Sequence, residues 1–184
     1  MGGDYAIRAA TLEDRAALGA LIARSARELS AADYSAAQID AALQSAFGVD
    51  TQLIADGTYF VVISSAGEMA GCGGWSRRRT LFGSDQRQER NPDELDPRID
   101  AARIRAFFVD PAHARRGIGR ALLERCEAEA RACGFAQLEL MSTLPGVRLY
   151  AAHGYVAGPS INHELTPGLM IEFVPMTKVV DGPT

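Results

Sequence analysis

The stretch from Phe107 to Leu123 constrains this chain more than any other. Phe107-Phe108-Val109 ends an apolar strand, and Asp110-Pro111 stops it. A loop with glycines at positions 117 and 119 then opens a helix. Ile118, Leu122, Cys126 and Ala130 recur every four residues, so the helix runs from about Gly117 to Ala132. The first N–H groups of a helix lack partners within it, and its dipole is positive there. Gly117 and Gly119 withdraw side chains from that end, while Arg115, Arg116 and Arg120 add charge to it. Together they make a cradle for a pyrophosphate.

The charge pattern agrees. The 184-residue chain carries a net charge of −4, which argues against general nucleic-acid binding. Its 19 basic residues are all arginine except Lys178. Between Arg103 and Arg131, seven arginines face four acids (Asp110, Glu124, Glu127, Glu129). The basic character is therefore local. Arg103, Arg105, Arg125 and Arg131 have no evident ligand and read as surface.

Two common phosphate motifs are excluded. A Walker A loop needs Gly-Lys-Ser/Thr, and no such triplet occurs. A dinucleotide fingerprint needs a small residue where Leu122 stands, and a tighter turn than the seven residues between Val109 and Gly117.

The remaining pattern resembles the GCN5-related N-acetyltransferase (GNAT) superfamily. The family's Arg/Gln-x-x-Gly-x-Gly/Ala signature finds its Gly-x-Gly in Gly117-Ile118-Gly119. Its Tyr followed by Gly-Phe/Tyr finds a match in Tyr150 and Gly154-Tyr155. The resemblance covers about residues 5–180 and is densest over 102–156. Ala114 stands at the first signature position, and Pro145 stands near the place of an Asn that many members carry. A register shifted to Arg116-x-x-Gly119-x-Ala121 also fits.

The resemblance implies an α/β fold: a mixed, mostly antiparallel sheet with a V-shaped splay between the fourth and fifth strands, flanked by helices. It implies one domain over residues 1–184 with a long loop at 77–100. It further implies acetyl-CoA as co-substrate, with the pantetheine arm along Phe107, Phe108 and Val109. The pyrophosphate would lie on Arg115, Arg116, Gly117, Ile118, Gly119 and Arg120. The Val109 N–H would face the thioester carbonyl, and Tyr150 would be the general acid. Transfer to a primary amine of a small molecule or peptide would be by direct attack. No Gly-x-Ser-x-Gly or Cys/His arrangement offers a nucleophile instead. The base stays open among Glu139, Asp100, Glu164, His163 and a water chain. Tyr34 and Trp75 are the acceptor-side candidates, with surface loop and core packing as their competing roles. A non-catalytic acyl-CoA sensor is the alternative reading. An interaction protein whose arginines bind an acidic partner is a third.

The rest of the chain bounds this picture. Tyr5–Ala9 and Thr58–Ile63 alternate or are β-branched and read as strands, with Met69–Trp75 as a hairpin partner. Helices are expected to about Leu29, from Ser35 to Gly48, and over Val147–His153. Strands are expected over Ala102–Val109, Ala136–Met141, Ile161–Leu165 and Leu169–Val179. Arg77-Arg78-Arg79 reads as a solvated strand end or an anion contact. The cysteines (Cys72, Cys126, Cys133) form no metal spacing and read as reduced core residues, with Cys126 and Cys133 on one buried face. The scattered histidines suggest no metal site. No apolar run spans a bilayer, and the N-terminus lacks signal-peptide and acylation patterns. The expected setting is cytoplasmic, with no nucleic-acid or membrane partner. A homodimer is compatible with the sequence.

Overall fold

The computed structural model describes residues 4–87 and 89–180. Strand β1 (Tyr5–Ala9) leads into helix α1 (Arg15–Leu29). Short helices α2 (Ala36–Ala42) and α3 (Thr51–Ala55) follow. Strands β2 (Tyr59–Ser64), β3 (Met69–Ser76) and β4 (Ala102–Val109) form a meander. Helix α4 (Ile118–Ala132), strand β5 (Gln137–Thr143) and helix α5 (Val147–Ala151) come next. Strands β6 (Val156–Ala157), β7 (Ile161–Thr166) and β8 (Leu169–Val179) close the chain.

The sheet runs β1-β2-β3-β4-β5-β8-β6, with β7 also pairing β8. Every pairing is antiparallel except β4 with β5. That parallel pair is joined only at Ala102–Leu138 and Arg103–Glu139. Beyond it the two strands part, which is the expected V-shaped splay.

A β-bulge lies in β4 a little beyond the last of these pairs. Ala106 and Phe107 together stand opposite Gly73, between the pairs Arg105–Gly74 and Phe108–Cys72. An extra residue of this kind bends a strand and increases its twist. Ala106 takes a left-handed φ of 57°, which costs a non-glycine residue roughly 1–2 kcal/mol. Gly73 is required beneath the bulge, because a Cβ there would lie 2.8 Å from the Phe107 ring.

Each sheet face has its own core. Ile118, Leu122, Leu123, Cys126 and Ala130 form the buried stripe of α4 against one face. Fully burying each large aliphatic side chain of that stripe contributes roughly 1.5–3 kcal/mol. Leu18, Leu21 and Ile22 of α1 seal the other face with Phe47, Tyr59 and Phe173.

Several expectations need correction. Helix α2 stops at Ala42, since Phe47 N–H already closes a turn onto the Ala42 carbonyl at 2.7 Å. Phe47 is nonetheless buried. The sequence reading missed α3 and β6, which are too short to show a period. Cys133 is exposed rather than sharing the buried face of Cys126, because it lies just past the end of α4. The 77–100 segment folds back on itself: Arg79 N–H donates to Asp93 O and Leu95 N–H to Arg77 O. Its arginines are paired, Arg77 with Glu94, Arg78 with Asp56 and Arg79 with Asp100.

Candidate active site

The parting of β4 and β5 opens a cleft of about 260 Å³ through the sheet. Successive β4 side chains point to opposite faces, so the cleft has two halves. On the α4 side lie Phe107, Leu149 and Tyr150. On the α1 side lie Phe47, Phe82, Phe108, Met141 and Phe173.

The glycine loop lies at the start of α4. Gly117 is the N-cap residue with φ 80°, and a Cβ there would meet nothing within 4 Å. The first helical bond is Ala121 N–H to Gly117 O. Among the described residues, the backbone N–H groups of 115–120 have no backbone acceptor. Arg115 itself is left-handed, with φ 64°. Six successive donors at a helix start, with no acid in the first turn, fit an anion with several oxygens.

The three arginines there behave differently. Arg120 pairs with Glu124 one turn on, at 2.7 Å, and both are exposed. Arg116 donates to Tyr5 Oη at 3.3 Å. Arg115 is exposed, with no ion-pair partner among the described residues.

Tyr150 is buried on α5 and lines the cleft. Its ring meets Phe107 and Tyr155 edge-on, at centroid distances of 6.1 and 5.7 Å. Burial pushes its phenol well above the usual tyrosine range. The phenol is therefore protonated at neutral pH.

The Val109 N–H, expected to face the thioester carbonyl, donates to Ser25 Oγ of α1 at 3.3 Å. Ser25 also lines the cleft, a residue the sequence reading passed over.

Tyr34 and Trp75 do not line the cleft. Trp75 is buried on the α4 side against Phe135, and its Nε1–H donates to Glu129 at 3.2 Å. Tyr34 is a clamp: its hydroxyl donates to the Glu172 carbonyl at 2.6 Å and accepts from Leu144 N–H at 2.8 Å. Burial raises its pKa to about 12.

None of the side-chain base candidates lines the cleft either. Glu139 is paired with Arg103. Asp100 accepts from Asp96 N–H, and Glu164 from Gly168 N–H. His163 packs against Phe82 and Phe173, behind the lining. Among the described residues, the cleft lining contains no Asp, Glu or His.

Arg105 lines the cleft although its sequence context suggests a surface residue. It is 4% exposed and donates to Asp50, to Thr80 O and to Gly83 O. Asp50 also binds Arg90 at 2.6 Å, and Arg90 in turn reaches Asp85. The network ties the 77–100 segment to the cleft wall.

The sequence matches the Acetyltransferase (GNAT) family over residues 23–155, and the chain belongs to that family. No curated protein matches it. Solved structures share its fold. A GCN5-related N-acetyltransferase from Rhodopseudomonas palustris is 21% identical with a TM-score of 0.69, covering 97% of both chains. YncA from Salmonella typhimurium, solved with its cofactor acetyl-CoA, is 19% identical with a TM-score of 0.65, covering 99% of this chain and 97% of its own. The PaiA N-acetyltransferase from Thermoplasma acidophilum, in complex with coenzyme A, is 14% identical with a TM-score of 0.64, covering 95% of this chain and 98% of its own.

Proposed function

We propose that this chain is a single acetyltransferase domain that moves acetyl from acetyl-CoA to a primary amine of a small molecule or peptide by direct attack. The row of unpaired N–H groups at 115–120 beside an open β4 edge carries this reading. Family membership and the acetyl-CoA and coenzyme A complexes of its structural neighbours support it.

Acetyl-CoA would supply an activated thioester and a thiolate leaving group. The 115–120 N–H groups, with Arg115 and Arg116, would hold its pyrophosphate. Beyond Arg103, β4 has no partner in β5 and offers its edge to an extended chain, as in strand addition. Tyr150 would give its proton to the departing sulfur. The amine proton would leave to water, since the lining holds no carboxylate or imidazole.

That last observation also favours a second reading, an acyl-CoA-binding sensor without turnover. A melting curve with acetyl-CoA tests binding, because a ligand at 100 times its Kd adds about 2.7 kcal/mol. Thiol release over an amine panel then separates the two. Binding with release supports transfer, binding without release for any amine supports the sensor, and no melting shift at millimolar acetyl-CoA overturns both.

A further inference from the structure

The α1-side half of the cleft is an aromatic and aliphatic box. Phe47, Phe82 and Phe173 stand with Leu29, Leu81 and Met141 around it. The three rings interlock, with Phe47–Phe173 centroids 6.3 Å apart and Phe82–Phe173 centroids 5.5 Å apart.

The charged groups around it are already paired with one another. Arg105 is one of the lining residues, and its guanidinium is held by Thr80 O, Asp50 and Gly83 O. Arg87 lies over the Phe82 ring at 4.0 Å, so a cation already covers that ring. Asp50, the nearest acid to Arg105, has a fully buried side chain and is shared with Arg90. A polycation entering here would lose hydration and meet no carboxylate on the lining. A substrate carboxylate would meet a guanidinium that is 4% exposed, with three of its N–H groups already engaged and its charge matched by Asp50.

We infer that the acceptor is a monoamine with an aromatic or aliphatic body, entering the α1-side box as the neutral free base. Polyamines, aminoglycosides and free amino acids are excluded by the same walls. This inference rests on the transferase reading for its chemistry, but binding in the box can be measured apart from turnover.

The experiment uses the full chain saturated with coenzyme A for binding, and with acetyl-CoA for turnover. Titration calorimetry and thiol release are run with phenethylamine, spermidine and phenylalanine. Phenethylamine is expected to bind saturably, with kcat/KM at least about tenfold above the other two. Its kcat/KM should rise with pH towards the amine's own pKa. Phe82→Ala should raise the phenethylamine KM while leaving coenzyme A affinity unchanged. Phenethylamine binding without thiol release would support the occupant and overturn transfer. Spermidine or phenylalanine bound or acetylated as well as phenethylamine would overturn the occupant and leave transfer standing. Coenzyme A binding with no amine bound would also overturn the occupant.

Discussion

Arg105 of β4 donates to the Asp50 carboxylate at 2.7 Å, with side chains 2% and 0% exposed. The two are 55 residues apart in sequence. Burial, more than any other cause, lowers the arginine's pKa, Asp50 opposes that shift, and Arg90 adds to it. Removing one partner strands a charge. Asp50→Asn should therefore cost about 3–5 kcal/mol of unfolding free energy in urea. Arg105→Met should cost a similar amount. The double variant Asp50→Asn, Arg105→Met should cost clearly less than the two single losses summed, although Arg90 also loses its partner. Additive losses would count against the pair as a unit.

Tyr150→Phe removes a hydroxyl without emptying the core. Nothing among the causes of its pKa shift is a hydrogen bond, so stability should change by less than about 1 kcal/mol. If the phenol is the acid, kcat should fall about 100-fold or more while acetyl-CoA affinity holds. An unchanged kcat would remove that role.

Gly117→Asp probes the donor row. The position is left-handed and open, and aspartate tolerates that conformation among non-glycine residues. Its carboxylate would cap the free N–H groups that a phosphate needs. Coenzyme A affinity should drop about tenfold or more, while the strain of a side chain at this φ should lower the melting temperature of the free protein by a few degrees. Calorimetry and thermal melting read the two effects separately.

His163 makes stability depend on pH. Burial against Phe82 and Phe173, then the nearby Arg87 charge, lower its pKa. The folded state thus binds the proton more weakly than the unfolded chain. The stabilisation is full above the unfolded value, near 6.5, and is lost as pH falls below it. His163→Phe should flatten the melting temperature between about pH 7 and pH 5 relative to the parent. A parallel slope in both proteins would exclude His163 as the source.

The fold was legible where a period repeats long enough to read. The four-residue rhythm of α4 and the β-branched run of β2 are such cases. Helix α3 is a single turn announced only by Asp50 as its cap, and β6 is two residues long. The Gly117-Ile118-Gly119 loop and Tyr150 were readable because their chemistry is local. Arg105 was not: its burial depends on an acid far back in sequence and on a loop that closes over both. For Trp75 and Tyr34 the sequence left packing and binding side by side, because aromaticity marks one as readily as the other. Their partners, Phe135 for one and the Glu172 carbonyl for the other, come from elsewhere in the chain.

The two pairs that join β4 to β5 leave the halves of the sheet sharing very little ladder. A molecule lying along the open edge of β4 would supply rungs that the polypeptide omits. Ligand capture and completion of the fold would then be one event. Slowed amide exchange along β4 and β5 would report it before any chemistry begins.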